Sequence, residues 1–418
     1  MKLHKTKTLN KTIFVVFLVI SSGTSFMVSS ALSIFIMFAF VFLYKYKKTQ
    51  NKYMYNIYAF LVLFILFYGF GVFFQFGLNP NLLFLARYIF AFLLVAVLVI
   101  AYKDSFFDYL EKAIYFLAIV SLILFGIQLI QFSFVFEPMK SFFNILPIDK
   151  GFYFSNRKYF ASIFIYTINQ NTTSFIDQRN CGFVYEPGYF SFFTNFGLLL
   201  ALAKYNLAKK RRLIVYLLAI ITTFSTTGMI GLIIVIALYF MNTTSKLKIL
   251  FIPVIISAII LFFNISYGYD KIEYLMSSTK EVHEYQLRAS SGTHGISMGR
   301  FAGFQYYALE TLNTSPYFGL SLLGWKHEIN IGIANGTAHF IRNFGFIGLA
   351  LMIFATFASA KIISKHYLKY KYSVFLFIFI HLYLFAFPFS NLPIFMIFLV
   401  MPFIFKKEKQ SVQAFSNL

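Results

Sequence analysis

The chain has 418 residues, of which 59% are hydrophobic and only 12% charged, against about 25% charged residues in an average soluble domain. Phe contributes 60 residues and Tyr 29, more aromatic surface than a soluble fold can bury while staying monodisperse. This excludes a soluble enzyme, a disordered chain and a disulfide-stapled secreted domain, and points to an all-α polytopic membrane protein.

The formal charge is +22, from 36 Lys and Arg against 14 Asp and Glu. Most basic residues lie in short clusters between apolar runs, as the positive-inside rule produces, so the excess reports topology and not nucleic-acid binding. The single cysteine, Cys181, allows neither an intrachain disulfide nor a CxxC metal site.

A membrane span needs about 20 apolar residues. In chain order the candidates are Thr12–Met27, Val28–Tyr44, Met54–Phe74, Leu82–Tyr102, Ala113–Val135, Tyr189–Tyr205, Leu213–Phe224, Met229–Met241, Ile249–Tyr267, Phe340–Ala360, Ser373–Phe387 and Leu392–Phe405. The first follows a basic start, and the absence of an A-x-A site argues against a signal peptide there. With about 12 spans, the basic loops Lys45–Lys52, Lys204–Arg212, Lys246–Lys248, Lys361–Lys371 and Lys406–Lys409 fall inside, with both termini. Lys103–Lys112, also inside, is mixed in charge. The whole chain, 1–418, reads as one integral-membrane domain without repeats.

Two longer segments, Phe136–Gly188 and Gly268–His339, fall outside and hold ten of the 14 acidic residues. Loops of that length are commonly functional. The first closes on Arg179, Gly182 and Glu186-Pro187. Glu186-Pro187 by itself is a helix-start signal, and an arginine beside a helix N-terminus makes an anion site. The hydroxyl-rich stretch Thr222–Gly228 reads as a tight hairpin tip. The second segment holds Arg288, His294 and Arg300, then Pro316-Tyr317-Phe318-Gly319. It ends on His339 at the start of a span, with Arg342 one turn further, able to snorkel outward. The residues suit a substrate with one anionic, lipid-anchored end. No Walker loop, DxD pair or HExxH is present, so neither a nucleotide nor a metal is expected.

The order of these motifs resembles the O-antigen polymerase and O-antigen ligase superfamily of bacterial envelope proteins. The resemblance runs from about Arg179 to about Leu349. It rests on Arg179 with Gly182 before a span, the Ser225-Thr226-Thr227-Gly228 hairpin, Arg300 leading into a short helix, the step Pro316–Gly319, and His339 before Gly345-Phe346-Ile347-Gly348. Two departures stand out. Family members often carry an asparagine beside the histidine, where this chain has Phe340, and His294 competes with His339 for the catalytic role.

The resemblance implies an inner-membrane glycosyltransferase acting on its periplasmic face without metal or cofactor. The donor is an undecaprenyl-diphosphate-linked oligosaccharide, and the acceptor, for a polymerase, is the next lipid-linked repeat unit. Arg179 and Arg300 are expected to clamp the diphosphate, and His339 to take the acceptor proton. Glu186, Gly182, Arg288, His294 and Tyr189 make up the expected substrate-binding set, with loop tyrosines stacking on sugar rings. Membrane lipids, a chain-length regulator and a flippase are the implied partners. The alternatives are a ligase that hands the finished glycan to lipid A core and, from another class, a flippase. A flippase needs charges along its spans, and here they gather in the outer loops. The coat is O-antigen, capsule or a related polysaccharide.

Overall fold

A computed structural model describes residues 13, 15–23, 57–59, 61–63, 65–66, 82–130, 153–154, 157–163, 166–169, 178–242, 300–319, 335–387 and 392–405. They are mostly helical. Ahead of the first outer segment, after helical residues within 13–21 and 57–66, come α1 (Leu82–Tyr102) and, after a short 3-10 turn, α2 (Phe106–Leu129). Beyond it come α3 (Pro187–Tyr205), α4 (Lys210–Thr222) and α5 (Thr226–Asn242). The second outer segment contributes α6 (Arg300–Thr314), and the chain continues with α7 (Gly336–Ile362), a π-helical turn (Ile363–Leu368), α8 (Ser373–Ala386) and α9 (Pro393–Phe405). The expected spans Val28–Tyr44 and Ile249–Tyr267 lie outside the described residues, as does most of Met54–Phe74.

Among the described residues, two helices are long and apolar enough to cross a membrane: α2, with 24 residues, and α7 with its π turn, with 33. Several shorter helices are equally apolar. Their exposed faces are greasy. On α7, Ile347, Leu351 and Phe354 recur at i, i+4 and i+7 and are 37%, 60% and 72% exposed. A helix of a water-soluble domain turns such a stripe inward.

The hub is α3, buried without interruption from Pro187 to Leu202. It packs on α2, α4, α5 and, through aromatic stacking of Phe192 and Phe196 on Phe379, on α8. Inside this apolar contact lies one polar knot. Asn195 Nδ2 donates to Ser191 O at 2.9 Å, to Gly228 O of α5 at 2.9 Å, and lies 2.8 Å from the Tyr383 hydroxyl of α8. Small residues let the backbones close in: a Cβ on Gly228 would sit 2.7 Å from Ser191 Cβ.

The first outer segment adds a few short strands to the otherwise helical described residues. Strands β1 (Tyr153–Phe154), β2 (Arg157–Ile163) and β3 (Tyr166–Asn169) form an antiparallel sheet in the order 1-2-3, with Tyr159 opposite Asn169 and Ile163 opposite Tyr166. The sheet leans on the end of α2, where the Tyr166 hydroxyl donates to Gln128 Oε1 at 2.6 Å. Burial raises the phenol's pKa well above its usual range and keeps it a donor. Aromatic and branched residues in Arg157–Asn169 carry this strand signal, which apolar-run counting passes over.

The mixed-charge segment Lys103–Lys112 is also largely helical, and two of its acids, Asp108 and Glu111, have partners. Arg212 Nη1 reaches both carboxylate oxygens of Glu111, at 2.5 and 2.6 Å, and Lys204 Nζ lies 2.5 Å from Asp108. Glu111 is 1% exposed, and Tyr216 adds a hydroxyl donor at 3.1 Å. Breaking a buried pair leaves one charge stranded, at a cost of about 3–5 kcal/mol. Glu111→Ala should therefore lower the melting temperature of the purified protein sharply. Glu111→Leu combined with Arg212→Met should recover most of the loss. Equal melting of Glu111→Ala and the parent would show that the pair is not buried in the folded protein.

Candidate functional site

The end of the bundle opposite the Glu111–Arg212 pair gathers the residues singled out in the sequence. The tip between α4 and α5 is its centre. Arg179 approaches from one side: Nε donates to Thr223 O at 2.9 Å and Nη2 to Phe224 O at 2.8 Å. Arg300 opens α6 on the other side, its Nη1 3.4 Å from Thr227 Oγ1 and its guanidinium 4.8 Å from the centre of the Phe387 ring. The two arginines thus meet the same hairpin. Arg179 is largely spent on the carbonyls that end α4, where a cation is favoured by the helix dipole.

Asn180 holds the loop that carries Arg179. Its backbone N–H donates to Thr222 O at 2.9 Å and its Nδ2 to Thr222 Oγ1 at 3.1 Å. Its Oδ1 accepts from Ser121 Oγ at 2.7 Å and from Gly182 N at 2.9 Å. Gly182 has φ +58°, and a Cβ there would run into the Phe190 ring. The structure therefore gives Gly182 a turn-forming part. Glu186 is the N-cap residue of α3, in extended backbone, without a side-chain capping bond. Tyr189 is fully buried, its ring 4.6 Å from Tyr185 and 4.8 Å from Phe387, so it does not offer a face to a sugar in this conformation. Arg288 and His294 lie outside the described residues.

A second asparagine ties the α6 start to the histidine. Asn335 caps α7 by accepting from Ala338 N at 2.9 Å, donates through Nδ2 to Arg300 O at 3.1 Å, and receives the His339 backbone N–H at 3.0 Å. The His339 ring is met from one turn on by Asn343, whose Nδ2 lies 2.9 Å from Nδ1. The same amide nitrogen lies 3.5 Å from Nε2; oriented with its NH2 toward Nδ1, the amide pairs with a neutral imidazole protonated on Nε2. Arg342 does not snorkel: its guanidinium stands 4.8 Å over the Tyr307 ring, with Nε 3.9 Å from Glu310.

The two glycine motifs of the second segment touch each other. Gly345 interrupts α7 with φ 64° and ψ −171°, and Phe346 N donates across to Pro316 O at 2.8 Å. A Cβ on Gly319 (φ +77°) would lie 2.5 Å from Gly345 N, and one on Gly345 would strike Tyr317 O. Only glycine fits either place. The break re-satisfies its freed backbone on the loop after α6, the condition for a broken helix in a membrane.

Four helix starts therefore converge at this end. The α3 and α5 starts touch at Ser191 and Gly228, those of α5 and α6 at Thr227 and Arg300, and those of α6 and α7 at Arg300 and Asn335. Each brings a positive dipole end. Sequence reasoning singled out the arginines and the histidine but passed over Asn180, Asn335 and Asn343. Only Asn335, before a glycine at a helix start, had a readable capping signal. No group of three or more His, Cys, Asp or Glu suited to a metal occurs among the described residues. No protein-family model, curated protein or solved structure matches the chain.

Cys181 lies within this loop, fully buried. Burial pushes its thiol up to about 12, with Arg179 opposing the shift and Glu186 adding to it. At pH 8 only about one molecule in 10⁴ then carries the reactive thiolate. Maleimide should leave the folded protein unmodified at pH 7–8 and label it after denaturation in detergent. Rapid labelling of the native protein would mean that the Arg179 loop opens.

Proposed function

We propose that this chain is a lipid-linked glycan polymerase: it joins undecaprenyl-diphosphate-linked repeat units at the extracytoplasmic face of a bacterial inner membrane. The observation that carries the reading is the meeting of four helix N-termini with Arg300 and the histidine-bearing turn of α7. That arrangement favours a multiply charged anion, and a diphosphate leaving group gathers charge as the glycosidic bond breaks. The exposed apolar stripes beside it suit a donor with a lipid tail. The 12-span topology is part of the proposal. It is supported by the way the described loops sort, with 103–112, 204–212 and 361–371 at one end and 178–186, 222–226 and 335–339 at the other.

The chemistry divides as follows. Arg300 and the helix starts hold the diphosphate, and Arg179 acts through the hairpin it braces. Neutral His339 donates a hydrogen bond from Nε2 to the diphosphate oxygen where charge develops, and as the acceptor oxygen bonds to the sugar carbon and the glycosidic C–O bond breaks, the acceptor's proton passes to the departing diphosphate. This reverses the proton role expected from the sequence. A base at Nε2 would need Asn343 to turn its carbonyl toward Nδ1. The ligase and flippase alternatives differ in product: a ligase mutant accumulates lipid-linked polymer, and a flippase mutant makes none outside.

The test is a defined lipid-linked repeat unit given to the purified protein, with product length read on a gel. The parent should build a ladder without added acceptor core. Arg300→Lys should lose the ladder with melting unchanged, because lysine lacks the planar fork. Arg179→Lys should instead be less stable by about 1–2 kcal/mol, from the two carbonyl bonds it weakens. His339→Ala should slow extension by about 10²-fold or more, and His339→Gln, which donates but cannot take a proton, should restore much of it. A dead His339→Gln would return the ring to the role of base. No ladder from the parent under any condition would overturn the polymerase reading.

A further inference from the structure

At the end of the bundle away from His339, two acids are already paired with cations. Asp108 is bound by Lys204 and Glu111 by Arg212. Lys209, Lys210 and Arg211, in and after the α3–α4 turn, remain exposed, as do Lys361, Lys365, Lys369 and Lys371 around the π turn. Among the described residues none of these seven has a carboxylate partner.

The two groups are pinned side by side. The end of α5 holds both: the Tyr239 hydroxyl donates to Asn206 Oδ1 in the first turn, and Asn242 Oδ1 accepts from Lys371 N at 2.6 Å in the second. Lys369 itself has φ 56°, ending the π turn and sending the chain sharply away. Between the cations stand Leu207 and Tyr372, 46% and 44% exposed. Cations framing exposed apolar and tyrosine side chains at the ends of apolar helices match the chemistry of a bilayer interface: phosphate outside, ester and acyl groups beneath.

We propose that this face is a binding surface for anionic phospholipid headgroups, formed jointly by the α3–α4 turn and the π turn, and that it docks the bundle on acidic lipid whatever reaction the opposite end performs. Each lysine or arginine close to an anionic surface contributes about fivefold in affinity, so seven together discriminate strongly between charged and neutral membranes.

The experiment uses the full chain in detergent, titrated with cardiolipin, with phosphatidylcholine, or with soluble glycerol phosphate, and follows thermal unfolding and lipid retained in native mass spectra. Cardiolipin should raise the melting temperature and stay bound, while phosphatidylcholine should not. A variant with Lys209, Lys210, Arg211, Lys365, Lys369 and Lys371 all changed to Gln should bind cardiolipin at least about a hundredfold more weakly. Its counterpart with the five lysines changed to Arg should bind as the parent does, which separates lost charge from lost fold. Equal retention of cardiolipin by the Gln variant and the parent, or equal response to both lipids, would overturn the proposal. An equal response to glycerol phosphate would make this a free-phosphate site, which also overturns it.

Discussion

Everything in the bundle depends on a helix that has no outside. Sixteen consecutive residues of α3, from Pro187 to Leu202, are buried, so each of its faces must be matched by a neighbour. Lipid supplies little hydrophobic drive between helices already in hydrocarbon, and close packing with a few polar bonds has to hold them. Asn195 provides the bonds, reaching backbone of α3 and α5 and the hydroxyl of α8. Gly197 and Gly231 provide the space, facing the rings of Tyr216 and Tyr383. Because α3 starts at Glu186-Pro187, fixing it also fixes where the Arg179 loop ends and where the α5 and α8 ends meet it.

The two ends of the bundle solve opposite electrostatic problems. One end brings four helix starts together beside the C-terminal ends of α4 and α8, with Arg179 and Arg300 among them. The other collects basic loops, and among the described residues two of their charges are paired internally. Neither arrangement stabilises the protein by itself, since like charges and aligned dipoles repel. Both make sense as surfaces completed by anions from outside the chain.

Much of this was legible in the sequence, but unevenly. The span Leu82–Tyr102 coincides with α1 residue for residue, and Ser373–Phe387 and Leu392–Phe405 miss α8 and α9 by a single terminal residue. Spans with polar starts were read short: α4 begins at Lys210 and not Leu213, α5 at Thr226 and not Met229, and α7 at Gly336 and not Phe340. A hydropathy count discards the first polar turn of a helix, and in α5 and α7 that turn carries Thr227 and His339. The arginines were identifiable by charge. Their division of labour was not, because a bond from Arg179 to the carbonyls of Thr223 and Phe224 depends on a chain reversal about 40 residues away, which no local pattern encodes. The pairing of Asn343 with His339 needed only helical spacing, yet an asparagine inside an apolar run invites no notice until its partner is known to be an imidazole.

The contact between Gly319 and Gly345 has a bearing on how such a protein can diversify. It clamps the end of α6 to the middle of α7, and Asn335 clamps the start of α7 to the start of α6. The stretch between residues 319 and 335 therefore leaves and rejoins a frame that is already closed. Lengthening such a connection costs little, since loop entropy grows only with the logarithm of length. The two glycines and Asn335 hold the arginine and the histidine in register independently of that stretch.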